Sequence, residues 1–169
     1  LDTVRELRRE FSDKTLVADM KTMDVGGLEV GLAAEAGADV VSILAVAADE
    51  TILAAVEAAR DRGVRVLADL IAAREPLSRA ERVEELGVDY IGVHVGIDQQ
   101  KADLGPLEQL RSIAGSVGVP IAVAGGLTAR TASEAVEAGA SIIVVGSAIT
   151  KARDITQAAR EIVGAIQSA

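Results

Sequence analysis

Short apolar runs alternate with longer amphipathic stretches along the whole chain. One set of runs comprises Thr15–Ala18, Val64–Ala68 and Pro120–Ala124. A second set follows a recurring segment: Glu35-Ala36-Gly37-Ala38-Asp39-Val40-Val41, then Glu85-Leu86-Gly87-Val88-Asp89-Tyr90-Ile91, then Glu137-Ala138-Gly139-Ala140-Ser141-Ile142-Ile143. The glycines of these copies stand 50 and then 52 residues apart. Each copy predicts a helix end, a glycine in the left-handed conformation that closes it, and a short loop into a strand. Helical periodicity fills the stretches between, with capping-box signatures at Thr3/Glu6, Ser78/Glu81 and Thr131/Glu134. The predicted order is a helix followed by six strand–helix units, forming one domain over residues 1–169 without linker or low-complexity sequence.

Two strand–helix units in about 50 residues, with strands suited to a parallel sheet, make one quarter of a (β/α)8 barrel. Three quarters are present, that is, six of the eight strand–helix units. The chain opens on a predicted helix with no strand before it, so the expectation is an α/β fold of TIM-barrel type lacking its first two strands. An open doubly wound sheet is the competing architecture and needs no closure. It would not naturally show a strict quarter repeat or set polar groups after nearly every strand.

Composition sharpens this. Half of the 169 residues are hydrophobic, yet there is one Tyr, one Phe and no Trp, so the core must be built from Ala, Val, Leu and Ile, as suits helices packed on buried parallel strands. A formal net charge of -9 with no basic tract repels phosphate backbones, and the scarcity of aromatic rings removes stacking platforms; nucleic acid is not an expected partner. No cysteine is present, which excludes disulfides and thiol chemistry. The sequence shows neither a charged-then-apolar leader nor a run of about 18 apolar residues. The expectation is a soluble cytoplasmic protein that does not enter a membrane.

The segment Ala18-Asp19-Met20-Lys21-Thr22-Met23-Asp24 sets two carboxylates around one ammonium directly after the apolar run Leu16-Val17-Ala18. Side chains two apart on a strand share a face, so Asp19 and Lys21 point the same way and Asp24 lies beyond the strand end. Asp24 alone suggests a helix cap, and Asp19 with Lys21 a structural ion pair. Grouped at a strand buried on both faces, they carry too large a desolvation cost to be incidental. Further polar groups follow the other strands: Asp69 after the third, His94 at the end of the fourth, Gly125-Gly126 after the fifth and Gly146-Ser147 after the sixth. In a barrel these ends meet at one mouth, where active sites sit. His94 is the only histidine, and imidazole titrates in the range useful for proton transfer. Asp69 suits either a hydrogen-bond acceptor in the wall or the group that orients His94. Gly125-Gly126 suits a tight turn or, with Gly146, a phosphate site of exposed backbone N–H groups.

These residues resemble those of the 3-hexulose-6-phosphate synthases within the orotidine 5′-monophosphate decarboxylase superfamily. The superfamily pattern D-x-K-x-x-D stands as Asp19-Met20-Lys21-Thr22-Met23-Asp24. The stretches Val66-Leu67-Ala68-Asp69-Leu70-Ile71, His94-Val95-Gly96-Ile97-Asp98 and Val123-Ala124-Gly125-Gly126 resemble the synthases in particular. The related 3-keto-L-gulonate-6-phosphate decarboxylases typically carry Arg three residues after this His and Glu in place of Asp69; here those positions are Ile97 and Asp69. The resemblance implies Asp19 as a ligand of Mg2+, Lys21 as stabiliser of enediolate oxygens, and Asp24 reaching into a neighbouring subunit's site in a homodimer with shared active sites. It implies His94 as proton carrier with Asp69 beside it, and Gly125, Gly126, Gly146 and Ser147 around a phosphate. The implied reaction is the reversible addition of formaldehyde to ribulose 5-phosphate by an aldehyde-lyase. Two departures stand out: the family's first two strands, which bring an Asp and a metal-binding Glu, have no counterpart in the sequence, and Ser147 replaces a frequent Gly. The alternatives are the keto-gulonate-phosphate decarboxylase and a non-catalytic sugar-phosphate-binding or assembly module. Lys21 is not expected to act as a covalent nucleophile, because two adjacent carboxylates keep it protonated.

Overall fold

The computed structural model describes residues 1–100 and 105–169. Strands β1 (Val17–Thr22), β2 (Val40–Leu44), β3 (Arg65–Asp69), β4 (Tyr90–His94), β5 (Ile121–Ala124) and β6 (Ile142–Val144) form one sheet in sequential order. Every neighbouring pair is parallel. Helix α1 (Asp2–Glu10) precedes the sheet, and α2 (Gly26–Glu35), α3 (Asp49–Arg62) and α4 (Pro76–Glu85) follow the first three strands. After β4 come α5 (Ile97–Gln100) and α6 (Pro106–Ile113); α7 (Ala129–Glu137) links β5 to β6, and α8 (Ser147–Thr150) and α9 (Ile155–Gln167) close the chain. This is the expected series of six strand–helix units of a β/α barrel, with β1 and β6 at the two edges of the described sheet.

Strand alternation divides the molecule into two environments. Val41, Ile43, Val66, Ala68, Ile91, Val93, Ile121 and Val123 turn toward the helices and are buried with Val30, Ala33, Ile52, Ala55, Val83, Leu110 and Ile113. Their alternates turn toward the barrel axis. The small core residues let the layers approach closely, and Gly26 shows how closely: a Cβ there would stand 2.2 Å from the Thr51 carbonyl oxygen of α3. At the amino ends of the strands the repeated Asp locks neighbours together. Asp39 accepts from the Leu16 N–H at 2.7 Å and pairs with Arg8, while Asp89 accepts from the Val66 N–H at 2.8 Å. The third copy has Ser141, whose backbone N–H still donates to the Ile121 carbonyl at 2.9 Å. Among the described residues, no helix is long and apolar enough to cross a membrane.

Several boundaries differ from the sequence expectation. The first strand runs from Val17 to Thr22 instead of Thr15 to Ala18, because its charged residues occupy the inward face, where solvent enters. Thr3, Ser78 and Thr131 are not caps: α1 already begins at Asp2, α4 begins at Pro76 with its ring in the first turn, and α7 is capped by Thr128. Thr131 instead serves as the third helical residue of that capping box, its hydroxyl accepting from the Thr128 N–H at 2.8 Å. Replacing Gly26 by Ala sets a side chain against a backbone carbonyl, so we expect a loss of about 1–3 kcal/mol, measurable as a lower urea midpoint at unchanged slope.

Candidate active site

Alternate residues of all six strands line one cavity of about 480 Å³: Val17, Asp19 and Lys21 from β1, Ser42 from β2, Leu67 and Asp69 from β3, Gly92 and His94 from β4, Ala122 and Ala124 from β5, and Val144 from β6. Loop residues Gly125, Gly126, Leu127, Gly146 and Ser147 and the first residue of α5, Ile97, complete the wall. Asp19 and Lys21 lie within β1, not after it. Their placement depends on an irregularity in that strand. Ala18 pairs with Val41 and Thr22 with Ile43, so the register slips, and Lys21 adopts a left-handed φ of 49°. A bulge of this kind re-aims a side chain next to a functional site.

The charged groups form one continuous array. Lys21 Nζ donates to Asp19 Oδ1 and Oδ2 at 2.9 and 3.0 Å and to Asp69 Oδ2 at 2.8 Å. Asp69 Oδ2 also stands 2.9 Å from His94 Nδ1, and its Oδ1 accepts from the Ile71 N–H at 2.9 Å. The Asp69 side chain is 5% exposed and that of Asp19 60%. Asp69 is therefore the structural hinge of the array, and Asp19 is the carboxylate open to a ligand. Burial pushes the Asp69 carboxyl upward, but hydrogen bonds from His94, Lys21 and Ile71 outweigh it and hold the group below its ordinary value. Burial likewise lowers Lys21, and the carboxylates of Asp69 and Asp19 more than reverse this, so the ammonium is held above its ordinary value. An ionised carboxylate only accepts hydrogen bonds, so His94 donates from Nδ1 and leaves Nε2 outside this contact. Asp69 thus fills both roles that the sequence allowed, wall acceptor and orienter of His94.

At the opposite side of the cavity the backbone takes over. Gly125 and Gly126 have φ of 115° and 65°, and a Cβ on Gly125 would stand 2.5 Å from the Val95 carbonyl oxygen. Glycine is required there by both torsion and contact. Among the described residues no backbone carbonyl takes the N–H groups of Gly125, Gly126, Gly146 or Ser147. The cavity wall near them is apolar, with Leu127, Val144 and the exposed Ile97.

Asp24 is not part of this array. It is exposed, lines no part of the cavity, and its Oδ1 accepts from the adjacent Val25 N–H at 2.7 Å. Nor does it cap α2, whose N-cap is Val25 in a left-handed conformation. Ser42 and Gly92 are the site residues that sequence reasoning did not single out. The signal for Ser42 was present: it is the lone hydroxyl in the run Val40-Val41-Ser42-Ile43-Leu44. Gly92 makes room, since a Cβ there would come within 3.0 Å of Leu67.

The depressed Asp69 value fixes the sign of a pH effect. A carboxyl whose folded value lies below the unfolded one contributes stability that is present above the unfolded value, about 3.9, and is lost as pH falls through the folded value. Asp69→Asn should therefore flatten part of the acid limb between about pH 5 and pH 2. At pH 7 it should be less stable than the parent by roughly 2–3 kcal/mol, since Lys21 and His94 lose a buried charged partner. Denaturant titrations across this pH range measure both differences.

The array and its glycine-lined counterpart have relatives of known structure. The 3-hexulose-6-phosphate synthase of Staphylococcus aureus strain MSSA476 is 38% identical over 168 residues, a match that takes in 99% of this chain and 80% of the relative. The crystal structure of 3-hexulose-6-phosphate synthase from Salmonella typhimurium superposes with a TM-score of 0.94 at 34% identity, over 98% of this chain and 79% of that one. The KGPDC of Streptococcus mutans, solved in complex with D-R5P, superposes with a TM-score of 0.90 at 25% identity, over 99% and 79% of the two chains. A family model described as "Orotidine 5'-phosphate decarboxylase / HUMPS family" matches residues 1–162. On these matches of sequence and fold, the chain belongs to the orotidine 5′-phosphate decarboxylase / HUMPS family, on its 3-hexulose-6-phosphate synthase branch.

Proposed function

We propose that this chain catalyses the aldol addition of formaldehyde to ribulose 5-phosphate through an enediolate, as an aldehyde-lyase of the 3-hexulose-6-phosphate synthase type. The observation that carries this reading is the unbroken Asp19–Lys21–Asp69–His94 array facing a glycine-lined wall across one cavity. The glycine loops and the Ser147 hydroxyl hold the phosphate, which leaves the carbonyl end of the sugar beside the charged array. His94, oriented by the Asp69 contact at Nδ1, removes a proton from C1 through Nε2. The resulting enediolate lies against the Lys21 ammonium, which stays charged and offsets the developing negative oxygen. Carbon C1 then attacks the formaldehyde carbon, one carbon–carbon bond forms, and the new alkoxide takes back a proton from the imidazolium. Ile97 and Asp69 favour this reaction over decarboxylation, because among the described residues lining the cavity Ile97 stands where the decarboxylases typically carry an arginine.

The donor set also bears on Mg2+. Among the described residues, no group of three carboxylate, imidazole or thiol side chains is arranged to hold a metal. Mg2+ is commonly bound by one or two carboxylates, with water and substrate oxygens filling the other positions, and the exposed carboxylate of Asp19 fits that demand. Asp19 would hold the ion, which would supply Lewis-acid polarisation of the sugar oxygens.

Asp24 takes its role from a second copy. It sits among the exposed apolar side chains Met23, Val25 and Leu28, a surface suited to a homodimer in which Asp24 completes the partner's site. A module that only binds sugar phosphate is the competing reading, and turnover separates the two.

The parent protein, assayed for formaldehyde consumption with ribulose 5-phosphate, should turn over with Mg2+ and slow on its removal. Lys21→Ala should lose about 10²–10³-fold in kcat, the scale of one lost oxyanion-type donor, in a folded protein whose melting temperature is lowered because Asp69 loses one of its three donors; near-native kcat would remove Lys21 from the chemistry. Asp24→Ala should also be impaired with its own array intact. If sites are shared, mixing Asp24→Ala with Lys21→Ala subunits should restore activity, since a heterodimer then holds one unaltered site. Additive, unrestored rates would contradict sharing.

A further inference from the structure

Ser42 lies in the middle of β2 and is 2% exposed. Across from it the β1 ladder is irregular: between the Ala18–Val41 and Thr22–Ile43 pairs, residues 19–21 of β1 stand opposite Ser42 alone. A bulge leaves its extra residues without ladder partners. The Lys21 N–H solves this by donating to Ser42 Oγ at 3.1 Å, and the same hydroxyl donates to Asp19 Oδ1 at 2.6 Å. A serine hydroxyl has one proton and two lone pairs. The amide occupies a lone pair, so the proton is the part left to meet the carboxylate, and both directions are fixed.

One side chain thus grips Lys21 by its backbone and Asp19 by its carboxylate, the two groups that Nζ joins at 2.9 and 3.0 Å. Lys21 needs such a hold, because its left-handed backbone is unusual for a residue with a side chain. We propose that Ser42 is a positioning residue: its hydroxyl fixes the β1 bulge and the Asp19 rotamer together, so that the ammonium and the open carboxylate meet the substrate in one preset arrangement. This rests on the aldol reading for its consequence in turnover, but not for its consequence at Lys21. Ser42, on β2, lines the same cavity as the glycine loops after β5 and β6 but is separated from them in strand order, so its effect falls on the charged side and not on the phosphate end.

The test compares the full chain with Ser42→Ala, which removes both bonds, and Ser42→Thr, which keeps the hydroxyl. Four quantities are read: kcat and KM for ribulose 5-phosphate, the urea midpoint, and the rate of Lys21 acetylation by acetic anhydride at fixed pH. The last is measured by mass spectrometry relative to the exposed Lys151. Ser42→Ala should lower kcat about tenfold or more, the scale of a lost hydrogen bond to a charged group, with KM within about twofold. It should raise the Lys21-to-Lys151 acetylation ratio several-fold, because a side chain no longer held in one arrangement against its carboxylates is more accessible to the reagent. Ser42→Thr should match the parent in both. Parent-like kcat and acetylation in Ser42→Ala would overturn the proposal, as would a folded Ser42→Thr as impaired as Ser42→Ala. Should Ser42→Ala fail to fold, the near-isosteric Ser42→Cys takes its place with the same expectations. If the parent shows no aldol turnover, the aldol reading fails, and the acetylation ratio still decides whether Ser42 holds Lys21.

Discussion

Asp69 carries a nearly buried negative charge at the carboxyl end of a central strand, and this is tolerable only because three donors from different parts of the chain converge on it. Lys21 arrives from β1, His94 from β4, and the Ile71 N–H from the chain just beyond β3 itself. An unpaired carboxylate there would cost several kcal/mol, so the neighbouring strands are obliged to deliver their polar groups in register. The charge that would destabilise the sheet in isolation thereby organises its chemistry. The same coupling orients the imidazole and, together with Asp19, keeps the lysine protonated.

The strands serve this constraint by splitting their two faces. Residues directed to the helices are almost uniformly Ala, Val, Ile and Leu, whereas those directed to the axis include Asp19, Lys21, Ser42, Asp69 and His94. Because alternation is strict, a polar residue can be exchanged on the inner face without disturbing the packing of the outer one. The β1 bulge is the exception, and it falls where the lysine must be turned toward Asp69.

Much of this was legible from the chain alone. The glycine repeat gave the six strand–helix units, and the position of Asp69, His94 and the glycine loops at successive strand ends gave the mouth they share. The limits were physical. Inward-facing charge ends the apolar run at Ala18, so the sequence places β1 two residues early and stops it short of Asp19 and Lys21, although their spacing already implies a shared face. Capping signatures misled at Thr3 and Ser78 because the helices start earlier, at Asp2 and Pro76. Ser42 was passed over because a hydroxyl in an apolar run carries no mark of function until the bulge opposite it is known. Asp24 shares a motif with Lys21 but not a location, since the strand ends between them.

The repeated aspartate at the amino ends of the strands has a last implication. Asp39 and Asp89 each tie their strand to the previous one with both a backbone and a side-chain bond, while Ser141 leaves the β5–β6 junction with its backbone bond. That junction is also the one whose far ends carry Gly125, Gly126, Gly146 and Ser147. The β5–β6 seam thus lacks the side-chain tie of its two counterparts in the repeat, and an anion held between those loops would bridge it, so ligand and scaffold would share the task of closing it. Occupancy of the cavity would then be felt as rigidity in the last third of the chain, through mass-action linkage between binding and local opening.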